Sequence, residues 1–149
     1  MKSFFLLLTL LSLSFAQNCE LLRAKLLYLK GRSIYEELVQ EAERLLQEGC
    51  ERGNSKSLRA GERVINALDA IAFPEPFGED RIVASKRLRR ASLLLNETKK
   101  YAKKHPTLYA YQFLFYHVAR ENLRVKDYEY ALKYSSASYS LGRAILELR

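Results

Sequence analysis

The chain of 149 residues has no Trp, one Met, two Cys, two His, three Pro and six Gly. Each scarcity excludes something. Two Cys and two His, with no Cys-x-x-Cys-His run, leave no basis for a structural zinc cluster or a c-type haem. So few Gly and Pro rule out a collagen-like or loop-rich chain. Also missing are a Gly-rich phosphate loop, a Gly-x-Ser-x-Gly elbow and a His-Glu-x-x-His pair. Sustained period-two alternation is almost absent; Tyr109-Tyr111-Phe113-Phe115 could form a strand, but the stretch is about 16 residues long and flanked by helices, which favours a helix.

What is present is 28% charged and 48% hydrophobic residues, the balance of one soluble globular domain with a single core. Leu, Ala, Glu, Lys and Arg dominate, which favours helix. The scarcity of Met and Gln beside these residues is the composition of heat-adapted proteins.

The first segment carries Lys2, then a run of largely apolar residues from Phe4 to Phe15, with small residues at Ser14 and Ala16. This is the pattern of a secretory leader over residues 1–16, cut after Ala16. A helix over the run would span about 18 Å against a hydrocarbon layer of roughly 30 Å, so a retained anchor fits poorly. Ala16, Gln17 and Asn18 before Cys19 do not form a lipoprotein signal. The expectation is therefore a single helical domain over 17–149, with no transmembrane helix, in the periplasm or secreted. There its two cysteines would be oxidised.

Apolar spacing of three and four predicts an all-α fold, an antiparallel bundle or short repeat-like array of five or six helices. Asn18 is placed to cap a helix over 19–30. Ser33 and Glu36 form a capping box for a second helix, closed by Gly49. A third helix covers 57–72, with Leu58, Gly61, Ile65, Leu68 and Ala72 on one face, and Pro74 and Pro76 end it. Asp80 caps a long fourth helix to Lys104. The fifth, 107–123, is apolar around most of its circumference and reads as the buried central helix. The sixth, 127–148, carries a stripe of small residues, Ala131, Ser135, Ser138 and Gly142, that admits a close neighbour.

Residues 19–50 allow two arrangements. Ala24, Tyr28, Gly31, Tyr35, Leu38, Ala42 and Leu45 keep one rhythm through Gly31, which suits a single long helix. Cys19 and Cys50 would then lie more than about 40 Å apart and could not bond within the chain. A reversal at Lys30-Gly31-Arg32 instead returns Cys50 to Cys19 and permits a disulfide.

Phe115, Val118, Ala119, Asp127, Tyr128, Ala131 and Leu132 are similar to the helix, turn and helix of a tetratricopeptide-type unit. The stretch Tyr35 to Leu46 resembles exported bacterial helical domains of unknown function with the same texture. The likeness covers one unit near the C-terminus and implies a binding scaffold, without transferring any site residue.

Charge is concentrated on the fourth helix. Residues 81–104 hold Arg81, Lys86, Arg87, Arg89, Arg90, Lys99, Lys100, Lys103 and Lys104 against Glu97 alone. Ala84, Leu88, Ala91, Leu94, Leu95, Thr98 and Ala102 share one face of the wheel, and all the basic residues except Arg87 fall on the other arc. Lys86, Arg89, Arg90, Lys99, Lys100, Lys103 and Lys104 are the candidate contacts for an anionic partner: lipid head groups, an acidic polymer or an acidic protein surface. Export argues against nucleic acid, and no nucleic-acid-reading motif accompanies the charge.

Seven of the ten Tyr fall in the last two helices, and Tyr109, Tyr116, Tyr128 and Tyr134 are candidates for a groove that grips a peptide or aromatic group. Neither His105 and His117 nor Glu62 and Asp69 have a spacing that marks a metal or catalytic pair, so no metal, cofactor or catalytic residue is assigned. The expected function is a non-catalytic interaction module of the cell envelope. The alternative is a small helical enzyme or carrier that encloses an anionic metabolite between Arg and Tyr side chains.

Overall fold

The computed structural model describes residues 2–74, 76 and 79–149, and within the first helix the side chains of Phe15 and of Gln17 onward. The described residues form six α-helices and one 3-10 turn, with no strand: α1 (Lys2–Lys30), α2 (Glu36–Glu51), α3 (Ser55–Ala72), α4 (Arg81–Thr98), η1 (Lys99–Tyr101), α5 (Pro106–Arg124) and α6 (Tyr128–Glu147). The all-α expectation holds. The expected leader and its cut site at Ala16 lie, Phe15 apart, outside the residues whose side chains are described. Asn18 caps nothing here, because α1 continues through it.

The chain reverses at Gly31–Arg32, where the amides of Arg32 and Ser33 both bond the Leu29 carbonyl. Cys19 and Cys50 come within 5.9 Å Cα to Cα and are joined by a disulfide. The hairpin alternative is therefore the correct one. On α1, Cys19, Leu22, Leu26 and Leu29 face inward against α2 and α3. Three ion pairs run from α1 to those helices: Arg23–Glu51 at 3.7 Å, Lys25–Asp69 at 3.8 Å and Lys30–Glu43 at 3.0 Å. All are exposed and worth little individually.

Two expected helix ends are corrected. Ser33 does not cap α2: its hydroxyl accepts from the Tyr35 amide, and Tyr35 itself precedes the helix without a side-chain cap. Gly49 does not close α2 but lies buried within it, because a Cβ there would stand 2.7 Å from the Leu58 backbone, so α3 crosses too closely for any side chain. The left-handed residue of that turn is Gly53, at φ +70°. Asn54 then caps α3 by accepting from the Ser57 amide.

The centre of the bundle is α6, not α5. It packs against α3, α4 and α5, and eleven of its residues are buried, the expected small stripe included. On α5 only Leu108, Gln112, Phe115 and Ala119 are buried, whereas Phe113 and Leu114 face solvent. Small side chains rather than apolarity decide which helix can be surrounded, since each neighbour must come within helix-packing distance. Ion pairs from Arg59 and Arg63 to Glu147 make α3 antiparallel to α6. Alternating directions in an antiparallel bundle set helices two apart parallel, and α4 shows this against α6. Its hydrogen bond from Arg87 to Ser136, the Arg90–Tyr139 contact and the Leu94–Gly142 contact rise together along both helices, so α4 and α6 are parallel.

Two stability outcomes follow from this packing. The bridge closes a loop of sequence separation 31; in the chain-entropy treatment such a loop is worth about 3.7 kcal/mol, so reduction should lower Tm by about 10–15 °C in a melt with and without dithiothreitol. Unreduced protein should show no free thiol. At Gly142 a Cβ would meet Leu94 Cδ2 at 2.5 Å and Gln112 Nε2 at 2.6 Å, whereas nothing lies within 4 Å of one at Gly31. Gly142→Ala should therefore destabilise by about 1–3 kcal/mol despite its helical propensity gain, and Gly31→Ala should be neutral or stabilise by up to about 1 kcal/mol. Chemical denaturation of both variants checks the contrast.

Candidate functional site

The basic segment begins at a well-formed cap, with Asp80 Oδ1 accepting from the amides of Ile82 at 2.8 Å and Val83 at 3.1 Å. Its inner face, Ala84, Ala91, Leu94 and Thr98, is buried against the bundle. The α-helix ends six residues before the expected Lys104, at Thr98, and the chain goes on as the tighter η1. The buried Thr98 hydroxyl reaches back to the Leu94 carbonyl at 3.1 Å, a local bond of the kind that bends helices.

Thr98 Oγ1 also lies 2.8 Å from the Gln112 side-chain oxygen, but one hydroxyl proton cannot serve both acceptors. With the Gln112 amide turned end for end, its NH2 donates to Thr98 while Thr98 donates to Leu94. That orientation also gives a partner to the otherwise unpaired Gln112 Nε2. Ser138 donates to the Gln112 carbonyl at 2.8 Å, so α4, α5 and α6 are tied by one buried polar cluster.

This tie fixes where the cations stand. Arg81, Lys86, Arg89 and Arg90 on α4, and Lys99, Lys100, Lys103 and Lys104 beyond it, are all exposed, as the wheel predicted. Among the described residues none of the nine basic side chains of 81–104 is ion-paired with a carboxylate. Outside the segment Arg23, Lys25, Lys30, Arg44, Arg59, Arg63, Arg124 and Lys133 are paired, whereas among the described residues Arg32, Arg52, Lys56, Arg120, Lys126, Arg143 and Arg149 are not, and those are scattered over several elements rather than gathered on one. Ile82 and Leu93 stand 61% exposed among these cations.

Arg87, the exception on the wheel, points between α4 and α6 and donates to Ser136 Oγ at 2.7 Å. Arg90 lies over the Tyr139 ring, 4.6 Å from its centre. Together with Ser140 these residues line a cleft of about 260 Å³. Ser136, Tyr139 and Ser140 were missed by sequence reasoning. Their i, i+4 and i, i+3 spacings were visible, but nothing in the pattern said which residues of α4 and α6 stand level with each other and so bring the arginines opposite them.

The four candidate groove tyrosines do not gather. Tyr109 packs against Phe113, Tyr116 against His117, and Tyr128 against a small cluster of Ala84, Ala131 and Leu132. Tyr134 instead meets Tyr35 across the bundle, hydroxyl to hydroxyl at 2.7 Å, with both rings set edge-on to Phe115. Burial, and then the bond to Tyr134, push the Tyr35 phenol well above its ordinary pKa. Tyr134, Tyr130 and Tyr35 border a cleft of about 280 Å³ with Ile34, Leu68 and Ile71, so the aromatic recess lies at the α1–α2 turn and not between α5 and α6.

His105 is half-buried with Nε2 unpartnered, and burial, with Lys104 adding to it, lowers its pKa. His117 packs on Phe113 at 4.3 Å. Asp69 pairs with Lys25, and Glu62 lies in a cleft with Arg59, Arg63 and Glu147 that Asp69 does not line. Among the described residues no group of three His, Cys, Asp or Glu could hold a metal ion, and no helix is long and apolar enough to cross a membrane. No protein-family model matches the chain, and no curated protein or solved structure is significantly similar to it.

Proposed function

We propose that the protein is an exported, non-catalytic helical interaction module of the cell envelope, which docks through the basic face of residues 81–104 onto an anionic partner or surface. The observation that carries this reading is the full set of nine basic side chains without a carboxylate counterpart among the described residues. Opposite charges distributed over the rest of the chain do not cancel such a field locally. Ile82 and Leu93 on the same face favour contact with a lipid head-group layer, where two apolar side chains can enter beside the cations.

The leader pattern and the Cys19–Cys50 disulfide support export. The repeat-like texture of α5 and α6 supports a scaffold role. The rival, an enzyme or carrier that encloses an anionic metabolite, asks for a closed pocket with buried Arg. The clefts among the described residues open to solvent, which weighs for docking.

Lys86→Glu plus Arg89→Glu is the direct test, since both residues are exposed and neither lines the Arg87–Arg90 cleft. Wild-type protein should bind vesicles containing phosphatidylglycerol and release steeply with salt. The double variant should lose at least about thirtyfold in affinity at unchanged Tm. Equal retention of both proteins would reject this face.

A further inference from the structure

The cleft between α4 and α6 differs from the rest of the basic face, because its two arginines are held in place. Long side chains at Arg87 and Arg90, one helical turn apart, stand opposite short ones at Ser136 and Ser140, so the two helices leave a recess where they would otherwise fill it. On either side the helices close up. Ala84 packs against Ala131 and Leu132, and Leu94 presses on Gly142. The result is a bounded notch of about 260 Å³.

Arg87 is oriented by its hydrogen bond to Ser136, and Arg90 by stacking on Tyr139. Among the described residues neither guanidinium is ion-paired and no carboxylate lines the notch. Ser136, Ser140 and Tyr139 add hydroxyls that can donate to an oxyanion. Two fixed forks and no acid leave two positive charges to be met. A phosphate monoester carries about −1.5 to −2 at neutral pH and offers three acceptor oxygens, whereas a carboxylate supplies one charge in a plane. At about 30 Å³ per water molecule the notch has room for a tetrahedral group and the start of whatever bears it.

We infer that the Arg87–Arg90–Ser136–Tyr139–Ser140 notch is a specific binding site for a phosphate monoester group, presented by a lipid head group or by a soluble molecule. The inference deepens the docking reading and rests on it for the field that concentrates anions at this face. The docking face supplies long-range attraction, and the notch selects one group out of the anions attracted.

The test keeps charge constant. Arg87→Lys plus Arg90→Lys preserves both positive charges but removes the planar forks. Inorganic phosphate titrated into the protein, followed by isothermal calorimetry, should saturate a single site. Affinity should fall about tenfold or more in the double lysine variant and change less than about twofold in Arg52→Gln plus Lys56→Gln, which loses two charges outside both the notch and the basic face. Melting curves of both variants should match wild type; should the lysine pair lower Tm, Ser140→Ala, which only removes a donor, should still weaken phosphate binding.

Competition between inorganic phosphate and vesicles containing phosphatidic acid separates the sources: displacement assigns the site to a lipid head group, and phosphate saturation without displacement assigns it to a soluble ester. Absence of saturation, or equal affinity in wild type and the lysine pair, overturns the notch. If phosphatidylglycerol vesicles are still bound in a salt-sensitive way, the docking face survives that failure. If vesicle binding alone is lost, the docking reading is the one that fails.

Discussion

The architecture depends on how closely other helices can approach α6. Ala131, Ser135, Ser138 and Gly142 present so little bulk that α3, α4 and α5 all settle against one rod, and at Gly142 the approach leaves no room for a methyl group. Interiors are packed near crystalline density, so a contact of this kind sets position to within fractions of an ångström. Everything on the outward side of α4 inherits that precision. The arginines reach Ser136 and Tyr139 because Leu94 is seated on Gly142 a few residues further along.

The polar cluster beneath the helix adds direction to this packing. An apolar layer would let α4 slide or continue, whereas Thr98, Gln112 and Ser138 can satisfy one another in one register only. The α-helix stops at this cluster, and Lys99, Lys100, Lys103 and Lys104 follow in η1 and the turn after it, all exposed. The buried polar bonds and the end of the basic helix thus share one place in the chain.

Much of this was legible in the residues. Period, the cap at Asp80, the small stripe on α6 and the cationic arc of α4 are local signals, and each corresponds to an observed feature. What was not legible depends on pairs distant in sequence. Gly49 looked like a helix stop because glycine commonly is one, but its role is set by Leu58 on the next helix. The apolar circumference of α5 suggested a central position, yet centrality went to the helix with the smaller side chains. The rhythm through Gly31 fitted one long helix as well as two, and only the meeting of Cys19 with Cys50 distinguishes them. The arginine notch was hidden for the same reason, since its two halves are joined only by the register in which α4 packs on α6.

The parallel run of α4 and α6 brings like ends of the two helices together. Both carboxylate caps, Asp80 and Asp127, lie at one edge of the bundle, each beside a cation, Arg81 or Lys126, and the lysines that follow α4 lie towards the other edge. A negatively charged plane therefore finds acids interleaved with bases at the first edge and four lysines in six residues at the second. Attraction acts within about a Debye length, 8 Å at physiological ionic strength, and falls most strongly on the lysine corner.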